Sequence, residues 1–145
     1  MYELVVHNDA AADLRAIAVK DKQTALVLGR FIGQLKADQD LMDRLTQNKF
    51  GGSPARPTPK NASFNVSFWG AAQTVGMNLW RVRPFLKEIH GYRLVYAYLP
   101  TENKYVVLAV AEKAEHGVED DERFDYELGH EISIRITRAY AELTG

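Results

Sequence analysis

The chain has 145 residues, of which 46% are hydrophobic and 26% are charged, and its formal net charge is -1 at pH 7. This length and composition are typical of one globular domain with a single core, and they exclude a chain that is disordered throughout. The absence of cysteine excludes disulfides, thiolate metal sites and cysteine nucleophiles, and it suits the cytoplasm. Because no apolar run reaches the roughly 18 residues of a membrane span, we expect a soluble and unprocessed protein.

The small net charge conceals a strong segregation of charge along the chain. From Arg44 to Lys87 there are seven basic residues and no acidic residue, whereas from Glu112 to Glu131 there are nine acidic residues and two basic ones. Such asymmetry favours a nucleic acid or an acidic protein as partner, although each block is also explained as a solvated face.

The first third of the chain predicts a strand and two helices. Residues 2–7 suit a strand, and Asn8 or Asp9 suits the cap of a helix over 10–20. A second helix is expected over 22–45, with residues 38–40 as the place where it would break. Its apolar stripe consists of Leu28, Phe31, Ile32, Leu35, Met42 and Leu45.

The next segment changes in character. Glycines at 51 and 52 and prolines at 54, 57 and 59 disfavour both helix and strand, so residues 46–61 are predicted to be a mobile, basic loop. Apolar and polar residues alternate over 64–68, which predicts a strand. Residues 70–76 are expected to form a turn or loop.

Two arginines on the following strand define the main candidate surface. Side chains alternate between faces along a strand, so Arg81 and Arg83 share one face. If this strand pairs with residues 91–98 so that Val82 lies opposite Leu94, Arg93 falls opposite Arg83. Three guanidinium groups would then line one face of the sheet. We expect such a face to stay off the apolar core and to suit a polyanion.

The C-terminal part predicts a further strand and a helix. A turn at 100–103 is followed by a strand that ends at Val110. A helix is expected from about Tyr126. A strand is the alternative there, because Ile132, Ile134 and Ile136 alternate with polar residues. The resulting fold class is α+β, a small and mostly antiparallel sheet with a helical hairpin on one face and a C-terminal helix. The four histidines show no metal-ligand spacing, and no cofactor is indicated.

These elements and three runs of sequence resemble the RelE/ParE superfamily of bacterial toxins from toxin-antitoxin pairs. The runs are LWRVR at 79–83, GYRLVY at 91–96, which is the most specific, and the apolar strand that ends at Val110. The resemblance implies a RelE-like fold in a single toxin domain over 1–145 and a small antitoxin as partner. The resemblance does not cover residues 46–78, a segment that is longer than a compact member of the superfamily would need.

The RelE branch cuts messenger RNA in the ribosomal decoding site without a metal, by activating a ribose 2′-hydroxyl against the neighbouring phosphate. The resemblance implies that the site consists of Arg81, Arg83, Arg93, Lys113 and Tyr126. Arginines can bind the phosphate but, with a pKa above about 12, they transfer protons poorly. Proton transfer is therefore assigned to Tyr126, Lys113 or His116, with Tyr126 favoured as the base or as a base-stacking residue. Tyr126 equally suits the first anchor of the last helix.

Three functions follow from the resemblance. The first is a ribosome-dependent endoribonuclease that inhibits translation and is held inactive by an antitoxin covering the basic face. In this function, Lys49, Arg56 and Lys60 of the loop would be available to contact the phosphates of ribosomal RNA. The acidic run at 119–122 would repel RNA near Tyr126, which favours the second function. That is the ParE branch, which shares the fold, lacks a nuclease site and binds DNA gyrase. The third is a non-toxic interaction module.

Overall fold

The computed structural model describes residues 1–113 and 124–145. Within these ranges the strands are β1 (Glu3–Val6), β2 (Gly51–Gly52), β3 (Pro57–Thr58), β4 (Phe64–Phe68), β5 (Leu79–Pro84), β6 (Tyr92–Leu99) and β7 (Lys104–Glu112). The helices are α1 (Asn8–Lys20), α2 (Lys22–Lys36), α3 (Gln39–Asp43), α4 (Gly70–Thr74) and α5 (Glu131–Thr144). None of the helices in these ranges is long and apolar enough to cross a membrane.

Five strands form the main sheet in the order β1-β7-β6-β5-β4. β1 runs parallel to β7, and the other neighbours are antiparallel. The expected α+β class, with a mostly antiparallel sheet, N-terminal helices and a C-terminal helix, is therefore confirmed.

The predicted pairing of β5 with β6 is also confirmed. Val82 lies opposite Leu94, and Trp80 lies opposite Tyr96. Continuing this register by one residue places Arg83 beside Arg93. The alternation of side chains thus brings the three arginines to one face of the sheet.

The first apolar core lies between the N-terminal helices and one face of the sheet. It contains Leu28, Phe31 and Leu35 of α2, packed against strand residues such as Phe64 and Tyr105. The buried Tyr96 hydroxyl donates a hydrogen bond of 2.6 Å to the carbonyl of Leu45, which ties the sheet to the 3-10 turn at Arg44–Thr46.

The opposite face carries a second apolar core, contrary to the expectation that the arginines would keep it open. Val95, Ala97 and Ala109 of the strands pack with Ile136 and Ala139 of α5 in this core. A bulge in the pairing of β6 with β7 places Leu108 and Ala109 in the same core, and the small alanines let the helix approach the sheet. The arginines lie beside this core on β5 and β6, whose residues Leu79, Val95 and Ala97 are part of it, and α5 packs against β7.

Several predicted boundaries were wrong for local reasons. His7 caps α1, through Nδ1 accepting from the Asp9 amide, so Asn8 and Asp9 lie inside the helix. The second helix ends at Lys36, and the expected break at residues 38–40 is confirmed, because Asp38 caps α3. Residues 70–74 are helical and not a turn, and the last helix begins at Glu131, capped by His130. Tyr126 is therefore outside that helix, and the competing strand over 132–136 is excluded.

The Pro/Gly segment is more ordered than its composition indicates. Its strands β2 and β3 pair with each other, and the backbone of Lys49 and Phe50 hydrogen-bonds to Val66 at 2.9 Å on the outer edge of β4. Gly51 has a φ of 95°, and a Cβ there would lie 2.0 Å from the Phe64 carbonyl oxygen, so only glycine fits this approach. The segment thus covers the edge of the sheet.

An ion pair joins α1 to α5 across the edge of β7. The carboxylate of Asp13 accepts two hydrogen bonds from Arg135, at 2.8 and 2.7 Å, and one of 2.9 Å from the Val110 amide. The Asp13 side chain therefore provides an acceptor for a β7 amide that lies beyond the end of β1, and it also anchors α5 through Arg135.

We expect Asp13→Ala to lower the free energy of unfolding by about 2 kcal/mol, because the Val110 amide and the Arg135 guanidinium both lose their acceptor. Urea unfolding followed by circular dichroism measures the change. The exposed Asp40 provides the control, since Asp40→Ala should change stability by only about 0.5 kcal/mol. Equal losses in the two variants would show that the junction contributes nothing.

Candidate phosphate-binding site

Arg81 is positioned by the strand next to its own. Its side chain is half-buried, and Nη1 donates to the Asn65 side-chain oxygen and, at 3.4 Å, to the Asn65 carbonyl. Burial lowers the pKa of Arg81, the neighbouring Tyr126 and Tyr96 oppose this shift, and Arg83 adds to it. Asn65 therefore orients the guanidinium without neutralising it.

Arg93 is the most buried of the three arginines, with 8% of its surface exposed. Its Nη1 donates to the carbonyl oxygens of His90 and Tyr92, at 2.8 and 2.9 Å. Burial lowers its pKa to about 10, an effect that Tyr126 opposes and that repulsion from Arg83 and Arg81 reinforces. The positive charge of Arg93 is therefore disfavoured both by burial and by the two neighbouring arginines.

Arg83 completes the cluster, which we call the arginine cluster: Arg81, Arg83 and Arg93. The Nε of Arg83 is buried without a hydrogen-bond partner. None of the ion pairs found among the described residues includes a member of the cluster. Within residues 1–113 and 124–145, three guanidinium groups therefore converge without a carboxylate to compensate them, which is the environment that an anionic ligand would stabilise.

Tyr126 lies over the arginine cluster from the C-terminal segment. The indole nitrogen of Trp69 donates a hydrogen bond of 2.9 Å to the Tyr126 carbonyl. The Tyr126 ring packs against Phe124, with centroids 4.4 Å apart, and against Trp69 at 6.1 Å. Its φ of 65° is unusual for a residue with a side chain, so tertiary contacts hold the backbone in this conformation.

The Tyr126 hydroxyl is buried beside the Arg93 guanidinium, which lies within hydrogen-bonding reach of it, although the geometry between them is not that of a regular hydrogen bond. Burial raises the pKa of this phenol, whereas Arg93, Arg81 and Arg83 lower it, and the net change is upward. The hydroxyl therefore keeps its proton at neutral pH. It suits the role of proton or hydrogen-bond donor better than that of the expected base.

The other expected residues are Lys113, which is described, and His116, which is not. Lys113 follows β7 directly, and its amide donates a hydrogen bond of 2.9 Å to the Gly91 carbonyl. The interactions that join the arginines to Tyr126 do not include it. His116 and the acidic run at 119–122 fall outside the described residues.

One cleft among the described residues borders the arginine cluster. It measures about 270 Å³ and is lined by Arg81 and Tyr126, together with residues 67–71. A groove of about 340 Å³ lies between α1 and α5, where Asp13 and Arg135 neutralise each other. Of these two clefts, the smaller one adjoins the arginine cluster.

Comparisons with models of protein families, with curated proteins and with solved structures find no match to this chain. The function of this chain is therefore inferred from the geometry of its site and from the sequence runs at 79–83, at 91–96 and in the strand that ends at Val110. Sequence reasoning missed Asn65 and Trp69, because an asparagine and a tryptophan beside a strand carry no signal of what they will contact.

We expect Tyr126→Phe to change the free energy of unfolding by no more than about 1 kcal/mol, because it keeps the buried ring and removes only a hydroxyl whose contact with Arg93 has poor geometry. Thermal and urea unfolding measure this change. Tyr140→Phe is the comparison, since the Tyr140 hydroxyl accepts a hydrogen bond of 3.1 Å from the Asn78 amide and its loss should destabilise the fold more. A larger loss of stability in Tyr126→Phe than in Tyr140→Phe would contradict this expectation.

Sulfate should raise the melting temperature more than chloride at equal ionic strength, because a divalent anion relieves the repulsion within the arginine cluster. The specific part of this rise should amount to a few degrees and disappear in Arg83→Ala. Arg30→Ala removes an exposed arginine of α2, so this variant should keep the specific rise in melting temperature. It should also keep the general effect of sulfate, which strengthens the burial of apolar surface. The same rise in both variants would exclude an anion site at the cluster.

Proposed function

We propose that this protein is a RelE-like toxin of the RelE/ParE superfamily, which cuts messenger RNA on the ribosome and thereby inhibits translation. One observation carries the proposal: among the described residues, three arginines without a carboxylate partner converge beside the buried hydroxyl of a tyrosine. The resemblance of the strands bearing these arginines to the RelE branch supports it. A small antitoxin that covers the basic face would hold the toxin inactive in the cytoplasm.

The chemistry of RNA cleavage matches these residue types. Attack of the ribose 2′-hydroxyl on the adjacent phosphate increases negative charge on the non-bridging oxygens. Guanidinium groups can bind those oxygens through paired hydrogen bonds, and a preorganised donor of this kind typically contributes about 10²–10³ in rate. In this proposal the arginine cluster holds the phosphate, and the resemblance implies that no metal is needed.

Tyr126 is assigned to the leaving group in this proposal. The departing 5′-oxygen must gain a proton, and a phenol that retains its proton at neutral pH can supply one. Lys113 and His116 remain the candidates for accepting the proton of the 2′-hydroxyl. The phosphate would enter through the 270 Å³ cleft, because Arg81 and Tyr126 both border it.

One feature favours a second candidate, a ParE-like toxin that binds DNA gyrase. Groups that act on RNA must touch it, yet Arg93 is 8% exposed and the Tyr126 hydroxyl is buried. If the arginines serve mainly to shape this face, inhibition would come from contact with a protein target and would leave RNA intact.

Primer extension on cellular mRNA after induced expression separates the two candidates. We expect discrete cuts with the parent protein, and a loss of about 100-fold or more in cutting with Arg83→Ala and Tyr126→Phe. Arg30→Ala, which removes an exposed arginine far from the cluster, should cut normally. Because Tyr126→Phe is expected to fold stably, its loss of cutting would reflect chemistry. Growth arrest with intact mRNA and a DNA-damage response would instead indicate the gyrase-binding function.

A further inference from the structure

We propose that the cleft between β4, α4 and Tyr126 binds a nucleobase of the RNA next to the phosphate held by the arginine cluster. This inference rests on the proposed function and names the part of the substrate that the arginines do not hold. We call this space the base cleft; it is lined by Ser67, Phe68, Trp69, Gly70, Ala71, Arg81 and Tyr126.

The base cleft adjoins the arginine cluster directly. Arg81 belongs to both, and Tyr126, which lies beside the cluster, also lines the cleft, so a group in the cleft lies next to a phosphate on the guanidinium groups. The cleft measures about 270 Å³, which is below the usual range of about 300–1,000 Å³ for drug-sized ligands and suits one aromatic ring system. None of the described residues that line it is acidic, so none of these side chains repels an RNA strand.

Aromatic side chains supply surfaces on which a base can stack. Phe68 is 41% exposed although it is a large apolar residue, and Tyr126 forms part of the lining. Trp69 is only 3% exposed and holds the Tyr126 backbone in place, so this wall of the cleft is fixed before a ligand arrives. Single-stranded RNA is commonly recognised by bases that leave their own stack and lie on such rings.

Polar groups in the base cleft can read the edge of a base. Ser67 lies directly across the strand pair from Arg81. Its hydroxyl donates to the Phe68 carbonyl at 3.1 Å and retains its capacity to accept. Arg81 uses Nη1 on Asn65, and its remaining N–H groups are donors. A donor and an acceptor on neighbouring strands give the cleft a means of preferring one base over another.

The residues that form the base cleft come mostly from the part of the chain that the family resemblance does not cover. Residues 67–71 lie within 46–78, the stretch that exceeds a compact member. Within this stretch, β4 pairs with β5 at the arginines and α4 follows directly, so the extra chain is folded against the candidate site. A base preference arising here would be a property of this chain.

Fluorescence anisotropy can test the cleft with two labelled probes at low ionic strength. One is a short single-stranded 2′-O-methyl RNA, which cannot be cut, and the other is an abasic ribose-phosphate oligomer of equal length and charge. We expect the full-length protein to bind the RNA about tenfold more tightly than the abasic oligomer, because the stacking of one base contributes roughly that factor.

Two variants should abolish this preference while binding to the abasic oligomer persists. Phe68→Ala removes a stacking surface, and Gly70→Leu fills the cleft without removing a core residue, since the nearest atom to a Cβ there is Phe68 Cε2 at 3.9 Å. Leu26→Ala removes a comparably exposed apolar residue, 47% exposed, from α2 and should keep the preference. Circular dichroism and thermal unfolding would confirm that each variant is folded.

The outcomes separate this inference from the proposed function. Equal binding of both probes, weakened in each case by Arg83→Ala, would overturn the base cleft and leave the phosphate site standing. A tenfold preference that survives in folded Gly70→Leu and Phe68→Ala would also overturn it. If neither probe binds and no mRNA is cut in cells, the proposed nuclease function fails and the base cleft fails with it.

Discussion

The antiparallel pairing of β5 with β6 is the constraint on which the rest of the structure depends. With Val82 opposite Leu94, every second residue of both strands faces the N-terminal helices, and the residues between them face the other way. Apolar side chains occupy the first set of positions, and the second set includes the three arginines. A shift of one residue would bury guanidinium groups in the main core, so the burial of Val82 and Leu94 holds the arginines together.

Keeping three like charges close together has an electrostatic cost that the surrounding packing must offset. Arg93 is buried among carbonyl acceptors, and its pKa is lowered to about 10 by burial and, beyond that, by the other arginines. The second apolar core beside the cluster supplies stabilisation that does not depend on these charges. An anion would relieve the repulsion without any rearrangement of the sheet, which is the property expected of a preorganised phosphate site.

The C-terminal segment joins the cores to the candidate site. Asp13 and Arg135 anchor α5 to α1, and the chain before α5 places Tyr126 against Trp69 and the arginine cluster. The segment therefore covers part of the second face of the sheet and places the Tyr126 hydroxyl beside the arginine cluster. The same contacts form one wall of the base cleft. Residues 64–74 therefore contribute to the stability of the fold and, in the proposed function, to the recognition of RNA.

The sequence by itself determined the α+β class, the strands of the sheet and the shared face of the arginines, because alternation along a strand and antiparallel pairing are local rules. It also located the break of the second helix at Asp38. Only the tertiary structure decided that Arg93 would be buried, that a second core would lie beside the arginines, and that the Tyr126 hydroxyl would be buried next to Arg93. Those outcomes depend on partners far along the chain, such as Trp69 and Tyr126, 57 residues apart, or Asp13 and Arg135, 122 apart. No local pattern specifies which distant side chain will cover a given face.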